Sequence, residues 1–171
     1  MTQSLQNDEH STQSLCRQLA DLLVEKQLKL VTAESCTGGL ISAACTDLAG
    51  SSDWFERGFV TYSNAAKTEL LGVDAAMIEA HGAVSESVAR AMAFGAIRHS
   101  GRSAAGASIA VTGIAGPGGG SAAKPVGTVW FAYSIQGQLH SEMMRFAGDR
   151  AAVRSQTVVH ALQRVLVLLS A

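Results

Sequence analysis

A serine that follows a short apolar run is the residue of this sequence best suited to nucleophilic chemistry. Ser35 comes two residues after the end of the predicted buried strand 28–33. A serine at a strand-to-helix turn lies beside free backbone N–H groups, which can stabilise an oxyanion or bind a phosphate. The motif is not the Gly-x-Ser-x-Gly elbow of α/β hydrolases, because Ala33 and Thr37 occupy the two positions that the elbow requires to be glycine. The local pattern equally allows Ser35 and Thr37 to be ordinary helix caps.

Lys67 is the candidate general base toward that serine. It lies in the first turn of a short predicted helix that follows Tyr62 and has Asn64 as its expected N-cap. A cation there opposes the helix dipole, and the dipole together with partial burial lowers a lysine pKa. A neutral lysine can then take the proton of a serine. The alternative is a solvated surface lysine, which is the commoner situation.

Two segments late in the chain are candidates for binding an anion. The glycine-rich loop 113–120 follows a third apolar run, and its backbone N–H groups can form an anion nest. The loop fits neither GxGxxG nor GxxxxGK[ST], which excludes the Rossmann and P-loop interpretations. Arg145 and Arg150 bracket the start of the last predicted helix, and arginine suits a phosphate or a carboxylate. A flexible surface loop and two surface arginines are the alternatives.

The other nucleophilic and metal-ligating residue types are scattered. Cys36 adjoins Ser35 and is a second candidate nucleophile, but no histidine is near it in sequence. The three cysteines lack CxxC spacing and the five histidines include no HExxH pair, so no metal site is expected. This cysteine usage fits a reducing cytoplasm without a disulfide framework.

Composition and charge exclude several classes of protein. The chain has 171 residues, of which 47% are hydrophobic and 16% are charged, and this predicts a single folded domain. The formal net charge is −1 and no run of like charge is present, so the footprint of a nucleic-acid-binding protein is absent. No terminal apolar stretch approaches the ~20 residues that a membrane span needs, and the polar N-terminus lacks a signal-peptide core.

Alternating helix and strand patterns predict the elements that position these residues. Single strands are expected at 28–33, 58–62 and 107–111, and an antiparallel hairpin at 126–135 and 139–146. Helices are expected at 11–27, 38–48, 64–71, 74–80, 85–99 and 149–169, with Ser85 and Asp149 as caps of the last two. This order predicts an α/β fold with helices on both faces of a mixed sheet. A mobile tail is expected at residues 1–10 and a single domain at 11–171.

Five motifs in order along the chain resemble those of the CinA C-terminal domain family. They are Thr32–Gly39, Gly50–Ser52, Phe59–Asn64 with Lys67, His81–Ser85, and Gly113–Pro117 with Lys124–Val129. The resemblance implies a three-layer α/β/α sandwich with a mixed, mostly parallel sheet and a late antiparallel hairpin. It also implies hydrolysis of the carboxamide of nicotinamide mononucleotide to nicotinate mononucleotide and ammonia, in the recycling of pyridine nucleotides. No metal or organic cofactor is implied.

Carried over residue by residue, the resemblance implies a catalytic group of Ser35, Lys67 and Tyr62. Lys67 would take the Ser35 proton directly or through Tyr62, and the serine would form an acyl-enzyme. The remaining expected site residues bind the substrate or its oxyanion. Those near the oxyanion are Cys36, Thr37, Gly38, Thr112 and Gly113, and those near the 5′-phosphate are Gly118, Gly119, Gly120, Ser121 and Arg150.

The resemblance also carries expectations about partners and location. Related proteins are oligomeric, so a homo-oligomer (dimer or higher) is expected, with Arg150 acting in its own subunit or across an interface. Longer relatives have an upstream molybdopterin-binding-like domain that this sequence lacks, which favours a stand-alone cytoplasmic enzyme. The expected partner is a small-molecule substrate rather than nucleic acid or a membrane. Two alternatives stay open: a non-catalytic nucleotide-binding or competence/repair-associated interaction module, and an amidase with another amide substrate.

Overall fold

A five-stranded mixed sheet forms the centre of the computed structural model. The structure describes residues 2–101 and 105–171, with side chains at 12–101 and 106–171. The order of the strands across the sheet is β2-β1-β3-β4-β5. In chain order they are β1 (Lys29–Glu34), β2 (Phe55–Val60), β3 (Ala105–Gly113), β4 (Thr128–Ile135) and β5 (Gln138–Arg145).

The pairing of the strands determines which of their ends meet. β1 is parallel to both β2 and β3, whereas β4 is antiparallel to both β3 and β5. The predicted mixed sheet and late hairpin are therefore confirmed. The two residues of the hairpin turn, Gln136 and Gly137, both have positive φ, which matches the twist of the flanking strands. The carboxyl ends of β1, β2 and β3 lie at one edge of the sheet, where α/β proteins bind ligands.

Helices cover both faces of the sheet, which confirms the three-layer arrangement. One face packs against α1 (Thr2–Glu25), α2 (Leu40–Thr46) and α6 (Arg150–Ser170). The other face packs against α3 (Asn64–Leu71), α4 (Ala75–His81) and α5 (Glu86–His99). Successive side chains of β1 enter opposite cores, with Leu30 in the first core and Val31 in the second. None of the described helices combines the length and apolar character that a membrane-spanning helix needs.

Two helices start at positions that differ from the prediction by two residues or more. α1 begins at Thr2 rather than at residue 11, since no glycine or proline interrupts residues 2–25. The mobility of residues 1–10 stays a prediction. α2 begins at Leu40 rather than at Gly38, because Gly38 and Gly39 have positive φ and cannot belong to a right-handed helix.

The segment between β1 and α3 also differs from its prediction. β2 spans residues 55–60 rather than 58–62, and it lies at the edge of the sheet, where the charged side chains of Glu56 and Arg57 remain exposed. Ser63 rather than Asn64 caps α3, since its hydroxyl accepts from the N–H of Ala66 at 3.0 Å. Asn64 is the first helical residue.

The other two predicted helix caps are confirmed. The hydroxyl of Ser85 accepts from the N–H of Val88 at the start of α5. The carboxylate of Asp149 accepts from the N–H of Ala152 at the start of α6. Each cap satisfies a backbone N–H in the first turn of its helix that has no partner within the helix.

Candidate active site

The candidate nucleophile lies at the end of the central parallel strand. Ser35 directly follows β1, and its N–H donates to the carbonyl of Val111 on β3 at 3.1 Å. On the other side of β1, the N–H of Thr61 donates to the carbonyl of Glu34 at 2.8 Å. The sheet ladder thus continues one residue past the strand on both sides, and the backbone of Ser35 is fixed by it.

Two consecutive glycines turn the chain from β1 into α2. Gly38 has φ 61° and Gly39 has φ 101°, a left-handed conformation that disfavours any side chain. The N–H of Gly38 donates to the carbonyl of Ser35 at 3.1 Å and closes the turn. We call residues 35–39 the nucleophile turn.

Glu34 anchors this turn, although it was not among the residues predicted from the sequence. Its fully buried carboxylate accepts from the N–H groups of Gly39, Ile41 and Ser42 at 2.8–3.1 Å. The hydroxyls of Thr37 and Ser42 also donate to it, both at 2.7 Å. A carboxylate at the first turn of a helix satisfies free donors and complements the helix dipole. The signal in the sequence is a glutamate that ends an apolar strand, because a buried charge requires partners.

Lys67 is the fourth residue of α3, and its amine reaches the end of β1. The Nζ atom is 3.1 Å from Ser35 Oγ, 3.0 Å from the carbonyl of Thr61 and 3.1 Å from the carbonyl of Tyr62. The residue is only 1% exposed, and burial lowers the pKa of Lys67 below its ordinary value. The surface-lysine alternative is therefore wrong.

The three partners of Nζ determine which way the serine proton can move. An ammonium can donate to all three, whereas a neutral amine has two N–H donors and one lone pair. The carbonyls of Thr61 and Tyr62 can only accept, so they take the two N–H groups of the neutral amine. The lone pair then faces the hydroxyl of Ser35, the one partner that can donate. This geometry supports direct proton transfer from Ser35 to Lys67.

Tyr62 reaches Lys67 through its backbone rather than through its phenol. The residue is 63% exposed, and its hydroxyl is 3.5 Å from Nη2 of Arg150. Nη1 of the same arginine donates to the carbonyl of Gly116 at 2.8 Å. Tyr62 and Arg150 therefore form an exposed pair beside the glycine loop, separate from the contact between Ser35 and Lys67.

The expected oxyanion donors are only partly available. The N–H of Gly38 is already committed to the carbonyl of Ser35. In the part of the chain that the structure describes, no other residue accepts from the N–H of Cys36 or of Thr37. Thr37 is fully buried, and a buried N–H without an acceptor is costly unless a ligand supplies one. These two N–H groups are the remaining candidates in the nucleophile turn.

Thr112 and Gly113 lie at the end of β3, next to Ser35. The hydroxyl of Thr112 donates to the carbonyl of Ala83 at 2.9 Å and is not free. A Cβ on Gly113 would lie 2.7 Å from the side chain of Val129, so the glycine allows close packing against β4. Both residues lie near the candidate nucleophile. There the hydroxyl of Thr112 is bound to Ala83, and Gly113 packs against Val129.

The predicted phosphate residues of the glycine loop lie on the surface. Gly118, Gly119, Gly120 and Ser121 are all exposed, and the hydroxyl of Ser121 accepts from the N–H of Lys124 within the loop. Among the described contacts, no hydrogen bond joins the four residues to Ser35 or Lys67. Their role toward a phosphate stays a prediction.

The thiol of Cys36 is poorly suited to be the nucleophile. It is 5% exposed, and burial raises the pKa of the Cys36 thiol to about 11. A thiol that stays protonated is a weak nucleophile. The described residues also contain no cluster of three His, Cys, Asp or Glu side chains that could hold a metal ion.

Comparison of this chain with known proteins identifies its family. The model of the CinA C-terminal domain matches residues 12–169. The chain belongs to the CinA C-terminal domain family. Nicotinamide-nucleotide amidohydrolase PncC of Enterobacter agglomerans is 57% identical over 135 residues, which are 78% of this chain and 80% of that protein.

Two further proteins match most of the chain. Nicotinamide-nucleotide amidohydrolase PncC of Escherichia coli K12 is 49% identical over 150 residues, which are 87% of this chain and 89% of that protein. A solved CinA superfamily protein of Klebsiella pneumoniae superposes with a TM-score of 0.88 at 39% identity, covering 93% of this chain and 98% of that chain. The fold predicted from the motifs is thereby confirmed.

Replacement of Glu34 by glutamine in this CinA-family chain is expected to destabilise the fold. The amide NH₂ would face N–H and O–H groups that now donate to the carboxylate, which leaves buried donors unsatisfied at a cost of about 2–3 kcal/mol. Urea unfolding measures the loss, with the exposed Glu69→Gln on α3 as the matched control. An unchanged free energy of unfolding in Glu34→Gln would show that these bonds do not hold the nucleophile turn.

Proposed function

We propose that this chain hydrolyses the carboxamide of nicotinamide mononucleotide, with Ser35 as the nucleophile, in the recycling of pyridine nucleotides. The observation that carries the proposal is the buried contact of 3.1 Å between Lys67 Nζ and Ser35 Oγ. A non-catalytic binding module has no need of a desolvated lysine against a serine. The names of the amidohydrolase relatives, which match most of the chain, support the substrate class.

The first half of the proposed reaction forms an acyl-enzyme. Neutral Lys67 takes the proton of the Ser35 hydroxyl while Oγ attacks the carboxamide carbon. The carbonyl oxygen becomes an oxyanion, for which the N–H groups of Cys36 and Thr37 are the proposed donors. The ammonium of Lys67 is held by the carbonyls of Thr61 and Tyr62 at this stage.

The second half returns the enzyme to its starting state. The Lys67 ammonium gives its proton to the departing nitrogen as the carbon–nitrogen bond breaks, and ammonia leaves. Lys67, neutral again, then takes a proton from a water that attacks the ester on Ser35. When that ester bond breaks, the proton returns to Oγ and nicotinate mononucleotide is released. Atoms and protons balance without any metal or organic cofactor.

The 5′-phosphate of the substrate needs cationic or N–H donors away from the reacting carboxamide. Arg150 supports this assignment, because its guanidinium lies between the carbonyl of Gly116 and the hydroxyl of Tyr62 beside the glycine loop. Guanidinium is planar and suits bidentate phosphate contacts. The homo-oligomeric state and the cytoplasmic location stay predictions.

Ser35→Ala and Lys67→Arg are each expected to reduce ammonia release from nicotinamide mononucleotide by about 10³-fold or more. The first variant lacks the attacking oxygen, and the second has a guanidinium that stays protonated and cannot act as a base. Calorimetry should still detect substrate binding to Ser35→Ala. Ser170→Ala and Lys26→Arg, both exposed, are the matched controls. Full activity in Ser35→Ala would exclude the serine nucleophile and make Cys36 the next candidate.

Arg150→Met is expected to raise KM for nicotinamide mononucleotide by about 10- to 100-fold, since a charged hydrogen bond contributes about 1.5–3 kcal/mol. Turnover of nicotinamide riboside, which has no phosphate, should be slow and equal in wild type and variant. Arg98→Met, in the last turn of α5 at the opposite edge of the sheet, is the control. Equal losses of activity on nicotinamide mononucleotide and on nicotinamide riboside would show that Arg150 does not act by binding the phosphate.

A further inference from the structure

Arg154 contacts the nucleophile turn from α6, and nothing in the sequence had singled it out. Its Nε donates to the carbonyl of Cys36 at 3.1 Å, and its Nη2 donates to the carbonyl of Thr37 at 3.0 Å. The residue is partly buried, and among the described residues no carboxylate forms a salt bridge with it. Its guanidinium thus holds two successive backbone carbonyls instead of an acidic side chain.

The contact of Arg154 with the Cys36 carbonyl also fixes the direction of a backbone N–H group on the opposite side of the turn. In a trans peptide the C=O and the N–H of one peptide group point in opposite directions. Fixing the carbonyl of Cys36 therefore fixes the N–H of Thr37, which belongs to the same peptide group. In the same way, the bond from Gly38 N–H to the carbonyl of Ser35 fixes the N–H of Cys36.

The carbonyls of Ser35, Cys36 and Thr37 all accept hydrogen bonds, whereas the N–H groups of Cys36 and Thr37 donate to no other described residue. The carbonyl of Thr37 also accepts from the N–H of Leu40 at 3.3 Å. Without the guanidinium, the peptide group between Cys36 and Thr37 would lose the contact that opposes its rotation. A positive charge on the carbonyl side also polarises the peptide group, so its N–H becomes a stronger donor.

We propose that Arg154 is a positioning residue that holds the N–H groups of Cys36 and Thr37 as the oxyanion hole of this site. The inference rests on the proposed function, because only a reaction that develops an oxyanion at Ser35 uses these donors. Preorganised donors act in the transition state more than in the ground state. Arg154 should therefore affect kcat and leave substrate binding nearly unchanged.

The test compares steady-state kinetics of wild type, Arg154→Ala and Arg154→Lys on nicotinamide mononucleotide. We expect kcat to fall by about 10²-fold in Arg154→Ala with KM within about twofold, since one misplaced oxyanion donor costs 10²–10³-fold. Arg154→Lys should retain part of kcat, because an ammonium can reach one of the two carbonyls. Arg164→Ala, on the same helix and paired with Glu142 at 3.5 Å, is the matched control.

Chemical rescue separates positioning from a general loss of structure. Guanidinium chloride, at concentrations too low to unfold the protein, should restore part of kcat in Arg154→Ala and not in Arg164→Ala. Sodium chloride at equal ionic strength should restore none. Urea unfolding of each variant is measured alongside. A loss of kcat that guanidinium does not restore, with a matching loss of stability, would overturn the positioning role.

The results for Ser35→Ala and Arg154→Ala separate the role of Arg154 from the proposed amidase reaction itself. Loss of activity in Ser35→Ala together with unchanged kcat in Arg154→Ala would keep the amidase and overturn the role of Arg154. A raised KM with unchanged kcat in Arg154→Ala would make Arg154 a substrate-binding residue and would also overturn its positioning role. Undiminished activity in Ser35→Ala would remove the proposed nucleophile, and the inference with it.

Discussion

A buried amine held against a buried hydroxyl is the interaction on which the rest of this site depends. Lys67 has lost its water, which makes its charged form costly, and the carbonyls of Thr61 and Tyr62 are its other hydrogen-bond partners. These carbonyls are available only because β2 ends at Val60, just before them. Ser63 then starts α3 at once, and this brings Lys67 back over the strand ends. The local geometry of one strand-to-helix connection thus determines where the lysine amine lies and which carbonyls it contacts, while burial lowers its pKa.

The nucleophile turn is held from two sides by side chains of opposite charge. The carboxylate of Glu34 accepts from the N–H groups at the start of α2, and the guanidinium of Arg154 donates to the carbonyls of Cys36 and Thr37. The partners of Arg154 in the turn are backbone carbonyls, whereas Glu34 is bound by backbone N–H groups and also by the hydroxyls of Thr37 and Ser42. The carbonyls of Ser35, Cys36 and Thr37 are thus satisfied, and among the described residues none accepts from the N–H groups that we propose as donors to the oxyanion. Such fixed dipoles need no reorganisation during the reaction.

Much of this arrangement could be predicted from local patterns, and the rest depends on contacts between distant segments. Periodicity and turn residues predict the hairpin and the caps at Ser85 and Asp149. They also predict Ser35 near the end of a strand and Lys67 in a short helix that follows another strand. The partners of Glu34 could not be predicted from spacing, because they exist only once α2 has formed. Arg154 is 118 residues from Cys36, and only the packing of α6 brings them together. The contact between the Tyr62 phenol and Arg150, 88 residues away, likewise exists only once α6 has packed.

The pH dependence of kcat/KM for nicotinamide mononucleotide, measured in wild type and in Tyr62→Phe, tests the central claim most directly. Burial lowers the pKa of Lys67, and only the free base can take the Ser35 proton. We therefore expect kcat/KM to rise with pH along a one-proton limb whose midpoint lies below the ordinary lysine pKa of 10.5, in both proteins alike. A flat profile in wild type, or a limb that disappears in Tyr62→Phe, would contradict direct proton transfer from Ser35 to Lys67.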